Sequence, residues 1–278
     1  MSAGSMKKTV VIAPLTLGAI GVLIGLGAPT ADAEIANTRH NLGSTATGTR
    51  ADGTPVNQVV ETDEICVFCH TPHGAADSVT VQAPLWNKNV VSSAYTTYED
   101  IGGGSLDGAV LSVGSVSLAC LSCHDGTQAM DVMINEPGSG ADTIPAFTWT
   151  GGGQTGGQLS VGNIANIGTD LSNDHPIGIE YGGFDPGGGQ IDDDFVPATT
   201  GTIGGATRYW VDSGSIAGER DRQDMVLYVR DNGGIDEPFV ECGSCHDPHA
   251  EEGINGAGAT FLRIDNAGSA VCLSCHIK

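Results

Sequence analysis

Near its C-terminus the chain runs Cys242-Gly243-Ser244-Cys245-His246-Asp247-Pro248-His249 and then Cys272-Leu273-Ser274-Cys275-His276, two copies of C-x-x-C-H in quick succession. Working outward, Cys120-Leu121-Ser122-Cys123-His124 is a third copy and Cys66-Val67-Phe68-Cys69-His70 a fourth. The spacing has a physical meaning. One helical turn presents both thiols to the two vinyl groups of a haem, which they join as thioethers. The next residue then brings its imidazole under the iron as the proximal ligand. By composition alone one such motif is expected in roughly one of a hundred chains of this kind, so four point firmly to c-type haem attachment.

The four motifs use all eight cysteines. A disulfide framework suits an exported protein but gives no reason for a histidine after every pair. Zinc ribbons use C-x-x-C without this trailing histidine. Thioredoxin-like redox pairs come singly beside a βαβ pattern, which the chain lacks.

The histidines are also eight. Four are the proximal residues His70, His124, His246 and His276. The others, His40, His73, His175 and His249, match the four remaining axial positions, which predicts bis-histidine iron at every site. Met130 and Met133 are the rival distal ligands, although methionine more often fills apolar gaps. His73 and His249 lie three residues beyond a proximal ligand, in His70-Thr71-Pro72-His73 and His246-Asp247-Pro248-His249. Three residues span at most ~10 Å, too little to pass round the macrocycle to the far face of the same iron, and proline stiffens the path. Each must therefore serve a different haem. Iron with two protein ligands keeps no open position for a substrate, so the chain reads as a carrier and not an enzyme.

Met6-Lys7-Lys8, an apolar run from Thr9 to about Leu26 and Ala31-Asp32-Ala33 form the basic, apolar and small-residue order of a secretory signal peptide over 1–33. Pro14 and several glycines make the run a poor membrane anchor. The expected address is outside the cytoplasm, at the cell surface or beyond, or in the periplasm. A net charge of −22 excludes nucleic acid as a partner and disfavours self-association through surface charge.

Forty per cent hydrophobic, only 5% aromatic and with 42 glycines, the sequence is a thin recipe for a side-chain core. One domain is expected over 34–278, made mostly of irregular chain with short helices and a few short β-strands wrapped around a haem chain. Within it, 34–65 reads as an N-terminal arm carrying His40, and 125–241 as a glycine-rich insertion. Arg208-Tyr209-Trp210-Val211 and Met225-Val226-Leu227-Tyr228-Val229 have the bias of strands there. The acidic, glycine-rich loop over 187–194 has Ca²⁺-type ligands, but a solvated loop is the simpler account. Trp86, Trp149 and Trp210 read as packing residues.

The segment Ile65-Cys66-Val67-Phe68-Cys69-His70-Thr71-Pro72-His73, the Asn173-Asp174-His175-Pro176-Ile177-Gly178 run and the closing doubled block resemble the OmcE-type tetrahaem c-type cytochromes. That resemblance covers the haem motifs and distal histidines and is weak through 125–241. It implies an extracellular filament, or nanowire, subunit that polymerises head to tail, with long-range electron transfer as its function. It further implies that His40 ligates a haem of the adjacent copy. A soluble periplasmic tetrahaem shuttle and a multihaem reductase are the alternatives.

Mature protein is expected to carry four haems per chain. A pyridine haemochrome assay with protein quantitation measures the number, and three or fewer would remove one motif from the account.

Overall fold

The two β-prone runs pair with each other. In the computed structural model of the chain, Ala206–Val211 and Met225–Asp231 are antiparallel strands in the register Val211 with Met225, Trp210 with Val226 and Tyr209 with Leu227. The structure describes residues 35–50, 53–76, 81–90, 94–102, 106, 108–138, 146–182, 184–185, 189–190, 192–214, 216–250 and 261–278. The expected signal segment lies outside these residues, and the 187–194 loop is described only at 189–190 and 192–194. Among the described residues no helix is long and apolar enough to cross a membrane.

Five strands form the main sheet: β1 (Ile179–Glu180), β2 (Thr199–Ile203), β3 (Ala206–Val211), β4 (Met225–Asp231) and β5 (Asp236–Val240), in the order β1-β5-β4-β3-β2. All of its pairings are antiparallel. The β2–β3 turn is Gly204-Gly205, both at positive φ (62° and 80°), the backbone that a two-residue hairpin of matching twist requires. Alternation along β4 buries Met225 and Leu227, which join Val211 and Tyr181 in one apolar cluster. Cys245 and Cys275 pack against that cluster. From Ile179 onward the glycine-rich region forms a plate behind the last two motifs, while Trp149 and Leu159 earlier in it pack with the first.

Three short helices carry cysteines. Helix α1 (Ser115–His124) ends on the second motif, α2 (Cys242–Cys245) begins the third and α3 (Ala270–Cys275) leads into His276. Strand β5 runs through Glu241 directly into α2, so the sheet sets where Cys242 sits. Gly243, between the two cysteines, is required by packing: a Cβ there would lie 2.3 Å from the Tyr228 hydroxyl. The first motif starts in a 3-10 turn, Cys66–Phe68, whose Phe68 is buried with Leu42, Val59, Met130 and Leu159. Residues 34–65 are therefore not a free arm. Val59 is fully buried, and its N–H donates to the Leu42 carbonyl at 2.9 Å. Met130 fills core space in the same cluster.

A buried polar knot ties α1 to α2. Ser117 Oγ donates to the Glu241 carboxylate at 2.5 Å and accepts from Cys242 N–H at 2.9 Å. Arg230 reaches the other carboxylate oxygen at 3.1 Å, and Glu241 also caps α2 through a reciprocal pair of bonds with Ser244. Burial pushes the Glu241 carboxyl up from 4.5 to about 7 against the pull of Ser117 and Arg230. A raised folded value means that the proton favours folding. The contribution is complete below the unfolded value of 4.5 and is lost as pH rises through about 7. Glu241→Gln should remove this slope, sparing about 3 kcal/mol of the stability that the wild type loses over that window. Denaturant unfolding of the haem-loaded protein across pH measures it, and parallel profiles for the two proteins would place the titration elsewhere.

Candidate functional site: four cysteine pairs and their histidines

Three of the four proximal imidazoles are faced by a histidine from a distant part of the chain. The His70 and His249 ring centroids are 6.1 Å apart at an interplanar angle of 18°. His124 and His40 are 6.1 Å apart at 75°, and His276 and His175 are 6.5 Å apart at 62°. An iron between two imidazole nitrogens, each at ~2 Å, sets ring centres about 6 Å apart. The separations suit an axial pair and also fall within the range of ordinary aromatic ring contacts.

The outer nitrogens are held in a way that leaves the inner ones free to ligate. Nδ1 of His70 donates to the Pro84 carbonyl at 2.7 Å and Nδ1 of His124 to the Ala165 carbonyl at 2.7 Å. Nδ1 of His40 donates to the Pro248 carbonyl at 3.3 Å and Nδ1 of His175 to the Pro176 carbonyl at 3.0 Å. His249 places Nδ1 3.4 Å from the carboxylate of Asp247, which also takes a 2.7 Å bond from Arg222. Such bonds select the tautomer with its lone pair on Nε2 and orient the ring. Burial, with His124 nearby, lowers the His40 value to about 4, and burial lowers His124 and His276 as well. These imidazoles are neutral at pH 7, the form that binds a metal.

The cysteines are unpaired thiols, with no disulfide among them. Burial pushes Cys69 and Cys275 up to about 12, so neither is an activated thiolate of the redox-pair kind. Motifs that neighbour one another in the sequence are in contact. Cys69 and Cys123 pack on one apolar cluster, Cys120 and Cys242 share a hydrogen bond, and Cys245 and Cys275 pack on the sheet cluster. Cys66 and Cys272, in the first and last motifs, are the two exposed ones.

His40 packs inside the single chain that the structure describes. Its ring lies against His124 of its own chain, stacked on Phe261 at 4.2 Å, and not on an arm reaching outward. The cause is local packing: Thr38, Asn41 and Leu42 beside it are buried. His73 is exposed, and among the described residues its ring faces no other imidazole. The backbone of His246 forms a bridge with Leu262. Sequence reasoning missed the supporting groups. Asp247 next to His246 and Phe195, whose ring is 4.6 Å from His276, carry roles that only the folded neighbourhood reveals. The Asp-Pro step before His249 was the available hint.

Residues 237–278 match a family model described as the doubled CXXCH motif. This points to a multihaem c-type cytochrome. No curated protein matches the chain. The residues fit covalently bound haem c: paired thiols for the thioethers, a histidine facing three of the four proximal imidazoles and apolar clusters around the attachment points.

His40→Ala is expected to keep every haem attached and to leave one iron without its sixth ligand in isolated single chains. High-spin absorption and EPR signals report it, and added imidazole should restore the low-spin spectrum. A fully low-spin variant would show that His40 is no ligand.

Proposed function

We propose that the chain is an electron carrier holding four bis-histidine c-type haems in one line, exported from the cytoplasm. Bound haem supplies reversible one-electron chemistry at its iron. The chain's own residues supply attachment, neutral axial imidazoles and a succession of contacts from one cysteine pair to the next. The observation that carries the reading is the set of facing imidazoles, because iron held from both sides has no position for a substrate. A multihaem reductase would need one such side open.

The exposed Cys66 and Cys272 mark the two ends of the line. Electrons entering at one end and leaving at the other need both ends at the surface. The same feature favours copies meeting end to end, so assembly into a filament is the finer form of the proposal. Where His40 serves its own chain, that assembly would rest on surface contacts, among which Leu273 and Ile277 are exposed apolar candidates. A soluble shuttle is the form without assembly. Electron microscopy of sheared extracellular material distinguishes the two.

Carbon monoxide binds only iron that has an open or displaceable position. The fully reduced protein is expected to leave its spectrum unchanged under the gas, while a chemical reductant reduces all four haems. A photolabile adduct at a stoichiometric fraction of the haem would favour the reductase.

A further inference from the structure

The first and third motifs are built on one backbone unit, repeated at a constant offset along the chain. His70 N–H bonds the Cys66 carbonyl at 2.8 Å, and His246 N–H bonds the Cys242 carbonyl at 3.1 Å. Asn87 N–H reaches the Cys69 carbonyl at 2.9 Å, as Arg263 N–H reaches the Cys245 carbonyl at 2.9 Å. Thr71 N–H bonds the Leu85 carbonyl at 2.9 Å, and Asp247 N–H bonds the Phe261 carbonyl at 2.8 Å. Trp86 bridges His70 as Leu262 bridges His246. Even the strained residues correspond: Leu85 and Phe261 both sit at positive φ, 56° and 60°. In each unit the side chain after the proximal histidine also ties down the turn, Thr71 to the His73 carbonyl at 3.0 Å and Asp247 to the His249 N–H at 3.0 Å. By this correspondence His73 is the counterpart of His249, and His246 the counterpart of His70.

The third unit already serves the first, since His249 faces His70. Either the relation between the units is two-fold, and the first serves the third in return, or it is open and His73 looks outward to another copy. Reach favours the first. His73 is tethered within ~10 Å of His70, and His246 within ~10 Å of His249. The reverse pair therefore flanks the observed pair in the same chain. Its own iron is closed to His73 by the same short tether. His40 and His175 already face His124 and His276. The His73 backbone is held by Asn135 at 2.7 Å while its side chain is exposed, so its imidazole has room to turn.

We infer that His73 is the distal ligand of the haem attached at Cys242, Cys245 and His246 of its own chain, so that the first and third haem sites exchange ligands reciprocally. This assignment rests on the reading of the chain as a bis-histidine tetrahaem protein.

The test uses haem-loaded chains dispersed to single molecules. His73→Ala should retain four haems and show one high-spin centre, restored by imidazole. In its NMR spectrum the hyperfine-shifted signals of that centre should connect to His246. His249→Ala should instead give one high-spin centre connected to His70, and the double variant two centres. Two results would overturn the assignment: a His73→Ala variant with all four haems low-spin, or a high-spin centre connected to any other proximal histidine. A dispersed wild type with a high-spin centre at His246 would also overturn it, since the ligand would then come from another copy. Failure of the underlying reading looks different, as fewer than four haems or carbon monoxide binding in the wild type.

Discussion

A short tether between two histidines governs this molecule. In Cys-His-x-Pro-His the second imidazole is covalently close to one iron yet unable to reach its open face, so the first and third motifs must take their distal ligands from elsewhere. His249 faces the proximal histidine of the first motif, His40 that of the second and His175 that of the fourth. Each facing pair closes a long loop, which costs chain entropy that a protein with 5% aromatic residues is poorly equipped to offset by side-chain burial. The apolar clusters are small and gather at the attachment cysteines. In the proposed haem-loaded protein, covalent attachment and axial ligation would supply the remaining order, and the side chains would complete a core that the cofactor begins.

Charge follows the same plan. The chain carries 11 basic residues against 33 acidic ones, and two of the basic ones, Lys88 and Arg263, are buried. Lys88, only 1% exposed, gives its ammonium protons to the carbonyls of Ala129, Met130 and Val132 and lies near Cys69 and Cys123. Arg263 donates to the Gly243 carbonyl beside Cys245, and Arg230 pairs with Glu241 beside Cys242. A strongly acidic exterior thus encloses cations placed next to the attachment points of three motifs. Such cations favour the reduced iron electrostatically, while the carboxylate of Asp247 behind His249 acts in the opposite sense by strengthening that imidazole as a donor. Different sites along the line consequently have different electrostatic surroundings.

What was legible in the sequence was chemistry with a short range. Four C-x-x-C-H motifs, the equality of histidines and axial positions, and the exclusion of His73 and His249 from their own irons all follow from spacing. The two β-prone runs around Trp210 and Leu227 were legible from their composition, and they pair. Partnership across the chain was not legible, because nothing local distinguishes a histidine that will meet His124 from one that will leave the molecule. His40 illustrates the point: its neighbours Thr38 and Asn41 look like polar arm residues and are in fact buried. The duplicated unit was hidden for a related reason. Its bonds are made by backbone, so Trp86 and Leu262, or Asn87 and Arg263, occupy equivalent places without resembling one another.

Ligand exchange inside one chain bears on how copies would meet. If every axial position is filled from within, the coordinate bond drops out as the force that orients one copy against the next. What remains are exposed apolar side chains such as Leu273 and Ile277 beside the last motif, on molecules that each carry a net charge of −22. Like charges of that size repel over roughly a Debye length, ~10 Å at 0.1 M salt and ~30 Å at 0.01 M. Contact between ends is a shorter-range event, so screening decides whether two copies come near enough for it. A closed ligand set therefore couples assembly to ionic strength while leaving the haem sites of each chain intact, whereas a ligand lent to a neighbour would couple assembly to the coordination of the iron itself.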